Sequence, residues 1–166
     1  MDRRFHEHMQ HKIHAADIAF LPSTPGSYLL VFELRTPVTF AVGRLGLLNF
    51  APGVWFYAGS AWGPGGLRAR LARHFRTDKK PHWHVDALSL RHPPSFAYIE
   101  YQPDRAVRLE CCWVQTLLTH PNVSAPHVGF GSSDCTEGCS AHLAFSSNVG
   151  LDWADLLRNA DDGMVR

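Results

Sequence analysis

The sequence predicts a mixed α/β (α+β) fold: a small central antiparallel sheet of about three strands, with an added hairpin, flanked by helices. Three observations carry this. Short apolar runs rich in Leu, Val, Phe and Tyr recur between Gly- and Pro-containing turns, the signature of strands. Leu67, Leu71 and Phe75 recur four apart, the stripe of an amphipathic helix. The first apolar runs are joined by short connections, which suit antiparallel neighbours. At 166 residues and 18.6 kDa the chain is sized for one domain able to bury roughly 70% of its unfolded surface.

Taken in order, residues 1–14 are polar and His-rich, without the apolar core of a secretory signal or a membrane anchor. Residues 5–19 read as a short helix or a frayed leader. The expected organisation is a leader over 1–21, a single domain over 22–160 and a tail over 161–166. Residues 27–34 form a nearly unbroken apolar strand, which implies burial on both faces. A turn at Arg35-Thr36-Pro37 leads to a strand over 38–42. Gly43 and Gly46 punctuate the chain, Ala51-Pro52-Gly53 turns it, and 54–57 is a third apolar strand. A Gly- and Pro-containing loop over 60–66 precedes a helix starting near Gly66. Arg70 and His74 lie one turn apart at the edge of its apolar stripe, able to point into a cleft, with Arg73 and Arg76 further round. Residues 83–90 suit a short helix, 96–101 a strand, 105–119 a helix ended by His120-Pro121, 143–146 a last strand and 152–159 a terminal helix.

The net charge is only +1, yet Arg68, Arg70, Arg73, Arg76, Lys79 and Lys80 place six of the sixteen Lys and Arg within thirteen positions. Such a patch can hold phosphates or can simply be a solvated face. No apolar run approaches the ~20 residues that span a bilayer, so a cytoplasmic protein with reduced cysteines is expected. Cys135, Cys139 and His142 form a Cys-x3-Cys-x2-His cluster, and Cys111 or Cys112 is placed to supply a fourth soft ligand. That set suits structural zinc. Reduced packing cysteines, or a redox or catalytic thiol, are the alternatives.

Two segments frame the first half of the chain: Gly26-Ser27-Tyr28 and Tyr57-Ala58-Gly59, followed by Arg70-x-x-x-His74. Together with His82-Trp83-His84-Val85-Asp86, Glu110-Cys111 and the 129–135 segment, these make the chain resemble the GIY-YIG nuclease superfamily. It is most similar to an uncharacterised branch found alone or fused to endonuclease III-type repair enzymes. The resemblance spans roughly residues 25–145. It implies metal-dependent hydrolysis of a nucleic-acid phosphodiester, with DNA as the expected partner and a repair protein as a further one. It places Tyr28 and Tyr57 near the scissile phosphate, one of them as general base. Arg70 would stabilise phosphoryl charge, His74 would orient or deprotonate a phenol, and Glu110 would hold Mg²⁺ or Mn²⁺. One of His82 and His84 would join the site, while Arg68, Arg73, Arg76, Lys79 and Lys80 would meet the nucleic acid. The tyrosine motifs here stand 29 positions apart, further than a short hairpin requires, so 38–51 is expected to be an added hairpin that shapes a groove or covers the cleft.

Read without the resemblance, each residue has an ordinary role. Tyr is common in strands, Arg70 and His74 could pair with Asp78 or solvent, and Glu110 suits a helix surface. Only their order favours a nuclease. A non-catalytic nucleic-acid-binding module and a zinc-stabilised interaction domain remain the alternatives.

Overall fold

The computed structural model describes residues 12–102, 108–150, 152–154 and 157. Its strands are β1 (Gly26–Leu34), β2 (Val38–Ala41), β3 (Leu47–Phe50), β4 (Gly53–Ala61), β5 (Phe96–Tyr101), β6 (Val123–Ser124) and β7 (Leu143–Ser146). Its helices are α1 (Gly66–Phe75), α2 (His84–Ser89) and α3 (Leu109–Thr119). Five strands form one antiparallel sheet in the order β5-β1-β4-β7-β6, and β2 and β3 form a separate hairpin.

The long strands β1 and β4 pair over their whole length, from Gly26 opposite Ala61 to Leu34 opposite Gly53. Successive side chains of a strand point to opposite faces, and here both faces are covered. Tyr28, Leu30 and Phe32 join Leu67 and Leu71 of α1, Val85 and Leu88 of α2, and Phe40 and Phe50 of the hairpin. Leu29 and Val31 join Trp113, Val114 and Leu117 of α3, with Trp153 and Leu157. Two-sided burial explains the unbroken apolar run of β1. Each large side chain so buried stabilises the fold by roughly 1.5–3 kcal/mol.

The sheet is wider than the three strands expected, because the strand-like runs at 96–101 and 143–146 add to the free edges of β1 and β4. The two-residue β6 extends it further and carries no sequence signal of its own. The segment over 38–51 is indeed a hairpin beside the sheet, tied in by Phe40 stacked on Phe50 at 4.7 Å and by Phe50 against Trp55 at 5.0 Å. Residues before Pro22 are also part of the packing. Ile13 pairs with Ala97, and Ile18, in a 3-10 turn over Ala15–Phe20, is buried. Residues 1–11 of the expected leader, the expected tail over 161–166, and half of 152–159 lie outside the described residues, although Trp153, Ala154 and Leu157 are helical.

Candidate active site and metal centre

The register of β1 and β4 sets Tyr28 directly opposite Gly59. A Cβ on Gly59 would collide with the Tyr28 hydroxyl, so the glycine of the second motif is the space in which the phenol of the first lies. Tyr28 Oη is 2.8 Å from His74 Nε2, and the two rings lie 5.1 Å apart. Tyr57 completes the group from the neighbouring strand, its ring 6.5 Å from that of His74. All three side chains are buried. Burial, with Lys79 next, pulls the His74 imidazolium down to about 3, so His74 is neutral at physiological pH. Its Nδ1 is buried with no hydrogen-bond partner. Burial raises Tyr28 to about 12 against the charge and hydrogen bonding of Arg70, and raises Tyr57 well above the ordinary value. Both phenols are therefore held protonated at rest.

Arg70 is half-buried, with its guanidinium 4.4 Å from the centre of the Trp83 ring. Arg73 sits 4.5 Å from the same ring and donates Nη1 and Nη2 to the two oxygens of Asp86, at 2.8 and 2.9 Å. Asp86 is wholly buried and also accepts the backbone N–H groups of His82 and Trp83. Burial opposes its charge, but Arg73 and these two amides outweigh it and hold the carboxyl at about 2. Lys79 turns inward as well: Nζ donates to the carbonyls of Arg73 and His74 and to Ser89 Oγ, and lies 3.6 Å from Asp86. A cleft of about 180 Å³ opens beside Arg70, between Gly63, Pro64 and Arg73. Larger hollows, of about 540 Å³, lie away from these residues, one beside Trp153 and one between the 3-10 turn and α1.

The basic patch therefore divides. Arg73 and Lys79, expected to meet nucleic acid, are committed to Asp86 and to backbone carbonyls, because a buried carboxylate demands its counter-charges. Arg76 pairs on the surface with Asp78 at 2.9 Å. Arg68 and Lys80 are exposed. Of the two candidate histidines, His82 is exposed and edges against Trp83, whereas His84 Nδ1 accepts the Gly131 N–H at 3.0 Å. Gly131 has φ 71° and lies on the Tyr57 ring, where a Cβ would come within 2.6 Å of Cε2. The 129–131 backbone thus roofs the second tyrosine. This roof, and the role of Asp86 as the anchor of the basic cluster, are not legible from residue types. The one available signal for Asp86 was its place three residues after Trp83, where a carboxylate can receive free amides at a helix start.

Glu110 stands in the first turn of α3 and is buried; its recorded charge partner is Arg108, with Nη1 3.9 Å away. Its charge reaches both Tyr28 and His142. The next residue, Cys111, belongs to a cluster with Cys135, Cys139 and His142, whose ligand atoms all lie within 4.8 Å of one another. Cys111 Sγ is 3.7 Å from Cys135 Sγ and 3.6 Å from His142 Nε2. Of the two cysteines weighed as the fourth ligand, the fold selects Cys111. This Cys3His set can hold a metal ion. Burial, then the neighbouring thiols, push the Cys111 thiol up, and burial lowers His142. The cluster therefore offers a neutral imidazole, and the raised Cys111 thiol needs a cation in order to ionise.

Among the described residues no helix is long and apolar enough to cross a membrane. Neither a curated protein nor a solved structure matches the chain significantly. The family described as "Domain of unknown function DUF123" matches residues 27–160, which include Tyr28, Tyr57, α1, Glu110 and the Cys3His cluster, and the chain belongs to that family.

Proposed function

We propose that the protein is a metal-dependent endonuclease of GIY-YIG type, hydrolysing nucleic-acid phosphodiester bonds, with DNA as the substrate and repair as its setting. The observation that carries this reading is the Tyr28–His74 hydrogen bond of 2.8 Å, with Tyr57 and Arg70 beside it. Residues from two strands and a helix, in the order of the motifs, meet in one buried polar group next to a cleft. An ordinary strand tyrosine has no need of such an arrangement.

The residues divide the work. Neutral His74 holds the Tyr28 hydroxyl by Nε2, so Tyr28 can take a proton from an attacking water as its own passes to the imidazole. Forming the imidazolium at neutral pH would cost about 5 kcal/mol in this dry site, so the proton is shared only while negative charge develops nearby. Arg70, braced on Trp83, presents fixed donors to the phosphoryl oxygens, a geometry that Lys could not reproduce. Losing one such donor typically costs ~3–4 kcal/mol in the transition state. Glu110 fits a hard divalent cation: its carboxylate is buried, its charge is felt at Tyr28, and among the described residues its ion-pair partner Arg108 lies 3.9 Å away. Mg²⁺ or Mn²⁺ held there would supply Lewis-acid charge to the phosphate and its leaving oxygen.

The Cys3His cluster is read as structural zinc. Tetrahedral bonds of ~2.3 Å to sulfur and ~2.05 Å to nitrogen put ligand atoms about 3.8 Å (S–S) and about 3.6 Å (S–N) apart. The two separations made by Cys111, 3.7 and 3.6 Å, match those edges, and the four ligand atoms together lie within 4.8 Å, near enough to close on one ion.

The test is cleavage of supercoiled, branched and single-stranded DNA with Mg²⁺, Mn²⁺ or chelator, beside Glu110→Gln and Tyr28→Phe. The expected result is metal-dependent nicking reduced at least about 10²-fold in both variants, in line with the loss of one transition-state contact. Salt-sensitive binding by folded protein without cleavage of any substrate would replace this reading with a non-catalytic nucleic-acid-binding module.

A further inference from the structure

The Cys3His cluster is joined to the hydrolytic residues at three points. Cys111 is covalently next to Glu110, both in the first turn of α3 and both buried. His142 accepts, through its carbonyl, the N–H of Ala58 at 3.0 Å, and Ala58 is the middle residue of the Tyr57-Ala58-Gly59 motif. The third point is the loop over 129–142, which has no helix or strand of its own. His142 N–H donates to the Phe130 carbonyl at 2.8 Å, and Gly129 N–H donates to the Ser140 carbonyl at 2.7 Å. Those bonds link the ligand-bearing end of the loop to the Gly131 roof over Tyr57. One ligand therefore comes from the turn that carries Glu110, and three come from the loop that covers Tyr57.

We infer that the metal held by Cys111, Cys135, Cys139 and His142 is a positioning centre for the hydrolytic site, fixing Glu110 at the start of α3 while seating the 129–142 loop on Tyr57. The proposal rests on the endonuclease reading for its functional meaning, but not for its geometry. Among the described residues the side-chain ties of this turn are few: Glu110 has Arg108 at 3.9 Å, and the Cys111 thiol lies against Cys135 and His142 of the cluster. Four side chains bound to one ion fix that turn against β4 at bond-length precision, a tolerance of tenths of an ångström that packing of thiols does not impose. A carboxylate ligand displaced by about 1 Å loses its cation geometry, so the positioning metal sets the affinity of the hydrolytic one. The soft thiolates select zinc, whereas the hard oxygen of Glu110 selects Mg²⁺ or Mn²⁺, so the two ions do not compete for one another's places.

The experiment measures zinc content by elemental analysis and Mn²⁺ affinity by EPR titration, neither of which requires turnover. The proteins are wild type, Cys139→Ser, Cys112→Ser as the neighbour outside the cluster, and Glu110→Gln, with near-UV circular dichroism to verify folding. Wild type and Cys112→Ser should carry one zinc and share one Mn²⁺ affinity, which Glu110→Gln abolishes while keeping its zinc. Folded Cys139→Ser should lose zinc and bind Mn²⁺ about 10–100-fold more weakly, the usual effect of removing a group that orients a metal ligand. Wild type stripped of zinc and then reloaded should lose and regain the Mn²⁺ affinity. Unchanged Mn²⁺ binding in the zinc-free protein would overturn the proposal. So would global unfolding of both zinc-free forms, which would make the zinc a folding metal and nothing finer. If Mn²⁺ affinity follows zinc content while no DNA substrate is cut, the positioning stands and the endonuclease reading falls.

Discussion

The two helices that bring polar groups to the candidate site differ in how those groups are satisfied. Around α1 the protein meets nearly all its own needs, the buried His74 Nδ1 excepted: Arg73 and Asp86 form a two-pronged pair, Lys79 spends its donors on two carbonyls and Ser89, and Tyr28 is bonded to His74. At the start of α3 it does not. Among the described residues the ion-pair partner of Glu110 is Arg108 at 3.9 Å, and Cys111 faces two further thiols and an imidazole. A hydrogen-bonded network of side chains forms as soon as the chain folds, whereas a cluster of like donors needs a cation from outside. The α1 side thus largely pairs its own charges, and the α3 side gathers a donor set that could hold a metal ion.

The largest effect should come from breaking the α1 network. Asp86→Ala would leave Arg73 and Lys79 partly buried without their anion, and removing one partner of such a buried pair typically costs 3–5 kcal/mol. Denaturant unfolding should show a loss of that size with zinc content unchanged. A cost under about 1 kcal/mol, the range of exposed pairs, would mean that the network is no more than a surface arrangement. The reverse experiment, a strong zinc chelator, should raise hydrogen exchange at 109–111 and 129–142 while leaving α1 protected. Equal loss on both sides would erase the distinction.

A smaller effect, about 2 kcal/mol, separates the two sides by pH. His74 is held at about 3, well below its ordinary 6.5, so below 6.5 the unfolded chain gains a proton that the folded chain refuses. Stability is therefore lost as pH falls from 6.5 toward 3, by about 1.4 kcal/mol per pH unit, or about 2 kcal/mol by pH 5. Asp86, held at about 2 against an ordinary 3.8, adds its own loss only below 3.8. Denaturant melts of wild type and His74→Gln at pH 6.5 and 5 isolate the first term, since protonation of the thiol cluster is common to both. Parallel lines for the two proteins would show that His74 is not kept neutral by its burial.

The sequence announced the strands and the tyrosines more fully than it announced their surroundings, and the reason is physical. A strand is encoded locally, by a short apolar run between turn residues, so 96–101 and 143–146 are readable as strands even though their places in the sheet order are not. Tyr28, Tyr57, Arg70 and His74 are readable because their spacing along the chain is itself the motif. The role of Gly59 follows only once the register sets it opposite Tyr28. The choice of Cys111 over Cys112 depends on how α3 rotates against a loop some 24 residues away, which no local pattern specifies. The division of the basic patch depends on Asp86, whose burial is a property of the fold.

That division yields the smallest and most selective effect. A charge run invites the assumption that every cation in it meets the ligand, and on that view Arg68, Arg73, Lys79 and Lys80 are equivalent. The structure sets Arg68 and Lys80 in solvent and turns Arg73 and Lys79 inward to Asp86. A cation turned inward onto a buried carboxylate and backbone carbonyls is not presented to an approaching phosphate, so it adds little to the salt dependence of binding. Each exposed cation that does neutralise a phosphate adds about 0.9 to the slope of log affinity against log salt on duplex DNA. Binding isotherms across a salt series should therefore lose about 0.9 of slope in Arg68→Ala and again in Lys80→Ala, while Lys79→Met keeps the wild-type slope. Equal losses at all three positions would mean that the inward-turned cations open toward the nucleic acid on binding. The self-sufficiency of the α1 side would then be a property of the free protein alone.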